Sequence, residues 1–298
     1  MKSKIDLLRN PGLIIMHAPC VLIFWVGVSR LTLVVCAVLY LVRGIGITAG
    51  YHRYFAHRSY KTSRAFQFVL AVVGTSAVQQ GPLWWAAHHR AHHKYSDTDR
   101  DVHSPITQGF WYAHMGWIAS PANQRTDYKS VPDLVKFPEL RLLNKFHLLP
   151  PVLLALGLWV AGALVERYRP QLGTTGAQLL VWGFFFNTVL LYHSTFAINS
   201  LTHLFGRRRF PTKDESRNSF LIALFTLGEG WHNNHHHFPA SARQGFYWWE
   251  IDFTHYVLSV WKWLGLVWDV QSPPERVYRQ AALLDAAARA ATPTREPS

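Results

Sequence analysis

Three short windows hold eight histidines: His52-Arg-Tyr-Phe-Ala-His57, His89-Arg-Ala-His92-His93 and His232-Asn-Asn-His235-His236. Neutral imidazole nitrogen binds zinc, copper, iron and nickel. Bunching these rings without a metal would set protonatable groups side by side for no gain. On a helix, positions i, i+3 and i+4 share a face. His89, His92 and His93 fit that spacing, as do His232, His235 and His236. In each triplet the second and third histidines lie about 100° apart and flank the first. One triplet can therefore serve two neighbouring metals. His52 and His57 are five apart, about 140° round an α-helix. That spacing suits one ligand for each of two metals. His203 is a ninth candidate, one helical turn after Asn199 at the end of an apolar run. An ionisable residue at a membrane edge is a functional candidate by default.

The elements that position these residues are apolar. Hydrophobic residues make up 49 % of the 298-residue chain and charged residues 16 %, against roughly 25 % charged in a soluble domain. A bilayer span needs about 20 apolar residues. Residues 13–28, 31–49, 146–165 and 177–198 are expected as four spans, and 66–78 as an interfacial or half-buried helix. Cys20 and Cys36 both lie in apolar runs, which excludes a disulfide framework. The basic stretch 1–11 is followed by no small-residue cleavage site, so no cleavable signal peptide is expected.

Net charge is +13, but the basic residues form no single stripe and no nucleic-acid module is present. Lys and Arg number 3, 12 and 11 in residues 1–12, 50–145 and 199–298, and one and two in the two short connections. The positive-inside rule then places both termini and all three histidine windows in the cytoplasm. The expected fold is all-α and integral to the membrane: four transmembrane helices and a cytoplasmic helical cap holding a histidine-rich dimetal site. Residues 1–272 form that domain. Residues 273–298 are expected to form a partly disordered tail, with an Ala-rich helix over 279–291.

Metal-bound histidines donate their free ring N–H to carboxylates or carbonyls. Asp97, Asp99, Asp101, Glu229 and Asp252 are the local carboxylates, and His88 and His237 adjoin the candidate ligands. Glu229-Gly-Trp-His232 is a single E-x-x-H. Ferritin-like carboxylate bundles need two, so that fold is excluded. Arg207, Arg208, Arg209, Lys213 and Arg217 make a basic run before the third window, suited to anionic headgroups or an acidic protein.

Gly46-Ile-Thr-Ala-Gly-Tyr-His-Arg-Tyr-Phe-Ala-His57, His89-Arg-Ala-His-His-Lys-Tyr-Ser96, the Asn199–His203 pair and Gly228-Glu-Gly-Trp-His-Asn-Asn-His-His-His-Phe-Pro239 resemble the membrane-bound fatty acyl desaturases of the stearoyl-CoA (delta-9) branch. The resemblance covers about residues 10–270. It implies two iron ions held by His52, His57, His89, His92, His93, His203, His232, His235 and His236, with Asn199 acting through water. It implies an acyl tunnel lined by Tyr40, Gly44, Gln79, Trp85 and Phe196, with Tyr40 as its floor. His88, Glu229 and Asp97 would support the ligands. Ala87-His88 stands where animal acyl-CoA members have Arg-Asp, and Phe196 where they have Trp. The acyl carrier is therefore open: CoA, a lipid or a carrier protein.

Removing two hydrogens from unactivated methylenes lies beyond any side-chain acid or base, so a metal must carry the oxidation. The resemblance implies a cis double bond at position nine, made with O2 and two external electrons. The electrons come from a separate ferredoxin or cytochrome b5-like donor with its reductase. The alternatives are a hydroxylase or acetylenase on the same scaffold, or a non-catalytic metal-binding membrane protein. Membrane lipids are the other expected partner.

Overall fold

The computed structural model describes residues 11–290. Among the described residues the protein is helical, with one short antiparallel ribbon of Lys61–Thr62 against Val267–Trp268. Its principal helices are α1 (Gly12–Val26), α2 (Arg30–Ala56), α3 (Arg64–Ser76), α4 (Pro82–Tyr95), α5 (Leu149–Tyr168), α6 (Gly176–His203), α7 (His232–His237) and α8 (Glu275–Ala290).

Three of these, α2, α5 and α6, are long and apolar enough to cross a membrane. Helix α1 is shorter than the span expected over 13–28. Pro19 has no N–H to give to an α-helical ladder, and residues Ala18–Leu22 tighten into a 3-10 turn. At 1.5 Å per residue, its length is about 22 Å against a hydrocarbon core of about 30 Å. Helix α5 turns Leu153, Leu156, Val160 and Leu164 outward, as a helix bathed in lipid does. It meets α6 closely at Gly162, where an added Cβ would lie 2.4 Å from the Thr175 carbonyl oxygen. Small residues permit such approaches between apolar helices.

Helix α2 runs on past the expected end at 49 and carries the first histidine window itself. From Gly46 to Ala56 it is wound as a π-helix, with the His57 N–H donating to the His52 carbonyl at 3.1 Å. Helix α3 fits the half-buried helix expected over 66–78. Arg43 is buried where α2, α3 and α6 meet. Its guanidinium donates to Asn187 Oδ1 at 2.7 Å, Thr188 Oγ1 at 2.6 Å and the Ser76 carbonyl at 2.9 Å. Polar partners of this kind keep an intramembrane arginine tolerable.

Helix α4 opens with Pro82, whose missing N–H costs nothing in a first turn. Beyond the expected boundary at 272, α8 packs Val277 and Ala281 against Phe210 and Phe246. Asp285 on α8 pairs with Arg207 at 2.8 Å. The stretch 291–298 lies outside the described residues.

Candidate metal centre

Helices α2, α4, the end of α6 and α7 converge, and the nine candidate histidines fall into two sets. The first is His52, His57, His89, His93 and His235. The second is His92, His203, His232 and His236. Within each set the candidate ligand atoms lie within 4.8 Å of one another. Each triplet divides between the sets as its α-helical spacing requires. His52 and His57 do not divide. The π-helix closes i to i+5, so residues five apart stack on one face, and the two rings lie 4.8 Å apart. The expectation of one metal for each assumed an α-helix.

The donor set is suited to a cation. Nε2 atoms face Nε2 atoms: His52 and His235 at 3.0 Å, His57 and His89 at 2.8 Å, His93 and His235 at 2.9 Å, His203 and His232 at 3.0 Å. Four rings direct Nδ1 at carboxylates. His92 donates to Asp101 at 2.9 Å, His203 to Asp97 at 2.8 Å and His236 to Asp214 at 2.7 Å, while His52 Nδ1 meets Glu229. A neutral ring that donates from Nδ1 shows only a lone pair at Nε2. Lone pairs facing one another in a buried space repel unless a cation lies between them. Among the described residues, Nε2 of His236 is buried with no hydrogen-bond partner. Burial, then the neighbouring imidazoles, hold His89, His93, His232 and His235 well below the usual histidine range, which keeps them neutral. Burial works against ionised Glu229, but His52 and Arg53 outweigh it and push its carboxyl down to about 2. Neutral imidazoles backed by ionised carboxylates are what a divalent metal requires.

A fatty acid desaturase family model matches residues 28–271. The chain belongs to that family. It is 38 % identical over 80 % of its length to palmitoyl-monogalactosyldiacylglycerol delta-7 desaturase of Arabidopsis thaliana, covering 61 % of that protein. Identity is also 38 % to the sn-1 stearoyl-lipid 9-desaturase of Anabaena variabilis, over 78 % of this chain and 80 % of that one. It is again 38 % to an acyl-CoA C20 Delta5-desaturase of Anemone leveillei, over 81 % and 74 % of the two chains. This desaturase is thus a metal-binding oxidoreductase acting on fatty acyl groups, and its apolar helices make it a membrane protein.

One cavity opens on both histidine sets of the desaturase. It reaches from His52, His89, His92 and His232, past Trp85 and Thr195, to Gly44, Leu191, Leu227 and Tyr40. Asn199 stands in its wall. A Cβ at Gly44 would approach Leu227 Cδ1 to 2.8 Å. Tyr40 sits at the far end and donates its hydroxyl to the Phe225 carbonyl at 2.5 Å.

Other expected residues stand elsewhere. Gln79 is one step outside the cavity, donating to Thr195 Oγ1 at 3.0 Å. Phe196 is not in the cavity lining. It is buried against Tyr192 and His114 on another side of α6. His88 turns away from the histidine sets, with Nδ1 2.9 Å from the Trp84 carbonyl and its ring over Trp84. Asp99 is exposed. Asp252 acts at one remove, through Arg53, which bridges it to Glu229 with 2.9 Å contacts to each. His237 stacks on Phe210 at 3.9 Å.

The basic run before the third window is largely neutralised. Arg209 is buried against Glu250 at 2.6 Å and Arg208 meets Glu215 at 3.0 Å. Sequence reasoning passed over Asp214 because it lies inside that run. It also missed Gln244, which donates to Glu229 at 3.0 Å. Only folding brings Gln244 to the first window.

Proposed function

We propose that this desaturase inserts a cis double bond, at position nine, into a saturated acyl chain carried on CoA or on a lipid. Two irons would be held by His52, His57, His89, His93 and His235, and by His92, His203, His232 and His236, with Asn199 contributing through water. When bound, they supply the oxidising power that side chains lack. The balanced reaction takes O2, two electrons and two protons with the –CH2–CH2– unit, and returns –CH=CH– and two waters. The observation that carries the reading is the single cavity shared by both histidine sets and by Gly44, Leu191 and Leu227. Its apolar walls exclude water and hold adjacent methylenes beside the metals, where placement selects the carbons that react. Asp97, Asp101, Asp214 and Glu229 orient the imidazoles.

Helix α1 would complete a fourth crossing with α2, α5 and α6, leaving both termini and the metal centre on the cytoplasmic side. Exposed Lys213 leaves a cation beside the third window for an acidic electron donor of the ferredoxin or cytochrome b5 kind.

The test is the fatty-acid profile of a host expressing the chain, with purified protein assayed on acyl-CoA and on acyl lipid. A new cis monoene is expected. A hydroxy acid in its place would assign a hydroxylase. An unchanged profile together with no turnover in vitro would overturn the reading.

A further inference from the structure

A single hydroxyl ties a seam in the cavity wall. Tyr40 on α2 donates to the Phe225 carbonyl oxygen at 2.5 Å and lies 2.8 Å from Ser194 Oγ on α6. Phe225 ends a short helix, Phe220–Phe225, from which Leu221 and Phe225 project outward and are exposed. Tyr40 therefore joins three elements: α2, α6 and the Phe220–Phe225 helix. Ser194, Phe225 and Leu227 all line the cavity. The Leu227 carbonyl is pinned separately, by the Thr254 N–H at 2.9 Å and the Thr254 hydroxyl at 2.8 Å.

Tyr40 also has an outer side. With Leu33, Ala37, Trp182, Phe186 and Leu190 it lines an apolar groove between α2 and α6. Leu33 and Leu190 are exposed, and both helices are long and apolar enough to cross a membrane. The groove therefore faces lipid. One half-buried side chain thus bounds the cavity on the inside and the groove on the outside.

We propose that this seam is a lateral portal through which the acyl chain of a lipid passes between the bilayer and the cavity, with the Tyr40 hydroxyl as its latch. The occupant is a hydrocarbon chain, because the groove is apolar, faces lipid and meets the cavity at Tyr40. The proposal rests on the desaturase reading, which needs an acyl chain beside the histidine sets. A chain drawn from a bilayer through water would expose each methylene in turn. A route through the seam keeps the chain in apolar surroundings throughout.

The hydroxyls show how the latch works. Ser194 Oγ also lies 2.9 Å from the Leu190 carbonyl of its own helix. Tyr40 and Ser194 thus bring two hydrogens to three contacts. With Tyr40 donating to Phe225, Ser194 donates either to Tyr40 or to Leu190. Turning to Leu190 releases α6 from the latch and leaves Ser194 still bonded. The Tyr40–Phe225 bond is then the restraint to be broken. Apolar surroundings offer neither of those two groups another partner, so the seam recloses once the chain has passed.

The experiment follows arrival of a chain in the cavity without chemistry. Metal-loaded protein in detergent micelles, without O2 or donor, is mixed with micelles carrying phosphatidylcholine with 9,10-dibromostearoyl chains. Bromine quenches tryptophan, and the part of the quenching that Trp85→Phe removes reports entry, since Trp85 lines the cavity. Tyr40→Phe keeps the ring and removes the latch, so entry and release should both quicken, roughly fivefold for the loss of one hydrogen bond. Ala37→Phe fills the groove from its lipid side and should slow entry several-fold at unchanged metal content. Any other pattern overturns the portal, including an unchanged rate in either variant or no Trp85 quenching in wild type. Wild-type protein that admits the chain with the expected variant rates, yet forms no alkene from stearoyl substrates once O2 and donor are supplied, would overturn the desaturase reading alone.

Discussion

At the scale of single residues, the site depends on which nitrogen of each ring carries the proton. Asp97, Asp101, Asp214 and Glu229 set that choice for His203, His92, His236 and His52. Losing a carboxylate that orients a metal-bound histidine typically weakens metal binding 10–100-fold. Asp214→Asn should therefore weaken metal affinity by about that factor, measured by competition with a calibrated chelator. Unchanged affinity would mean that the His236 contact is incidental. His203 belongs to no histidine window, yet it lies in the four-histidine set, 3.0 Å from His232. His203→Ala should lose metal and activity as completely as His92→Ala, assayed side by side. Zinc in a purified sample does not decide the native metal, because imidazole accepts zinc as well.

At the scale of elements, the π-helical winding of α2 decides which set receives His57. An i to i+5 closure brings His57 beneath His52. Deleting Ala56 would leave His57 four residues after His52 and turn it by about 100° relative to the flanking helix. The five-histidine set should then lose its metal while the four-histidine set keeps its own. Metal analysis should fall from about two ions per chain, the proposed content, to about one. A variant that retained both ions would show that the π-helix is not required. Helices α4 and α7 show the contrasting case. Their α-helical triplets need no such device, because i+3 and i+4 flank i and divide naturally between the two histidine sets.

At the scale of the whole molecule, the proposed reading makes the cavity a gauge of acyl-chain length. Tyr40 and Gly44 stand one turn apart on α2, about 5.4 Å, at the end away from the histidines. Gly44→Phe should push the Leu227 side chain aside, obstruct that end of the cavity and shift preference to shorter acyl chains. Tyr40→Ala should shift it to longer ones. Competition among acyl chains of stepped length reads both, with metal content unchanged. Equal loss at every length would instead make Gly44 a packing residue between helices. Metal also closes the fold, since α2, α4, α6 and α7 all direct imidazoles into one buried space. A ligand that binds only the folded state stabilises it by mass action. Stripping the metal with a chelator should lower Tm by several degrees at least, on the order expected from a few kcal/mol, and re-adding iron should restore it. An unchanged Tm would show that the helices hold the cap without it.

The sequence by itself determined the candidate ligand types, the division of the two triplets between the histidine sets and the long apolar helices. These follow from local periodicity: 3.6 residues per turn and a run length matched to a bilayer. The family was legible for the same reason, since its motifs are short and contiguous. Other features depended on contacts distant in sequence. The π-winding of α2 changed the partner of His57, because five-residue spacing has no fixed meaning until the helix type is known. Phe196 and His88 sit beside functional residues in sequence but point elsewhere, since neighbours on a helix diverge by about 100°. Gln244 reaches Glu229 and the first window only through folding, and Asp214 looked like part of a charged run. The hydroxyl contacts of Tyr40 with Ser194 and Phe225 join residues 154 and 185 apart in sequence, so only the packing of α2, α6 and the Phe220–Phe225 helix could assemble them.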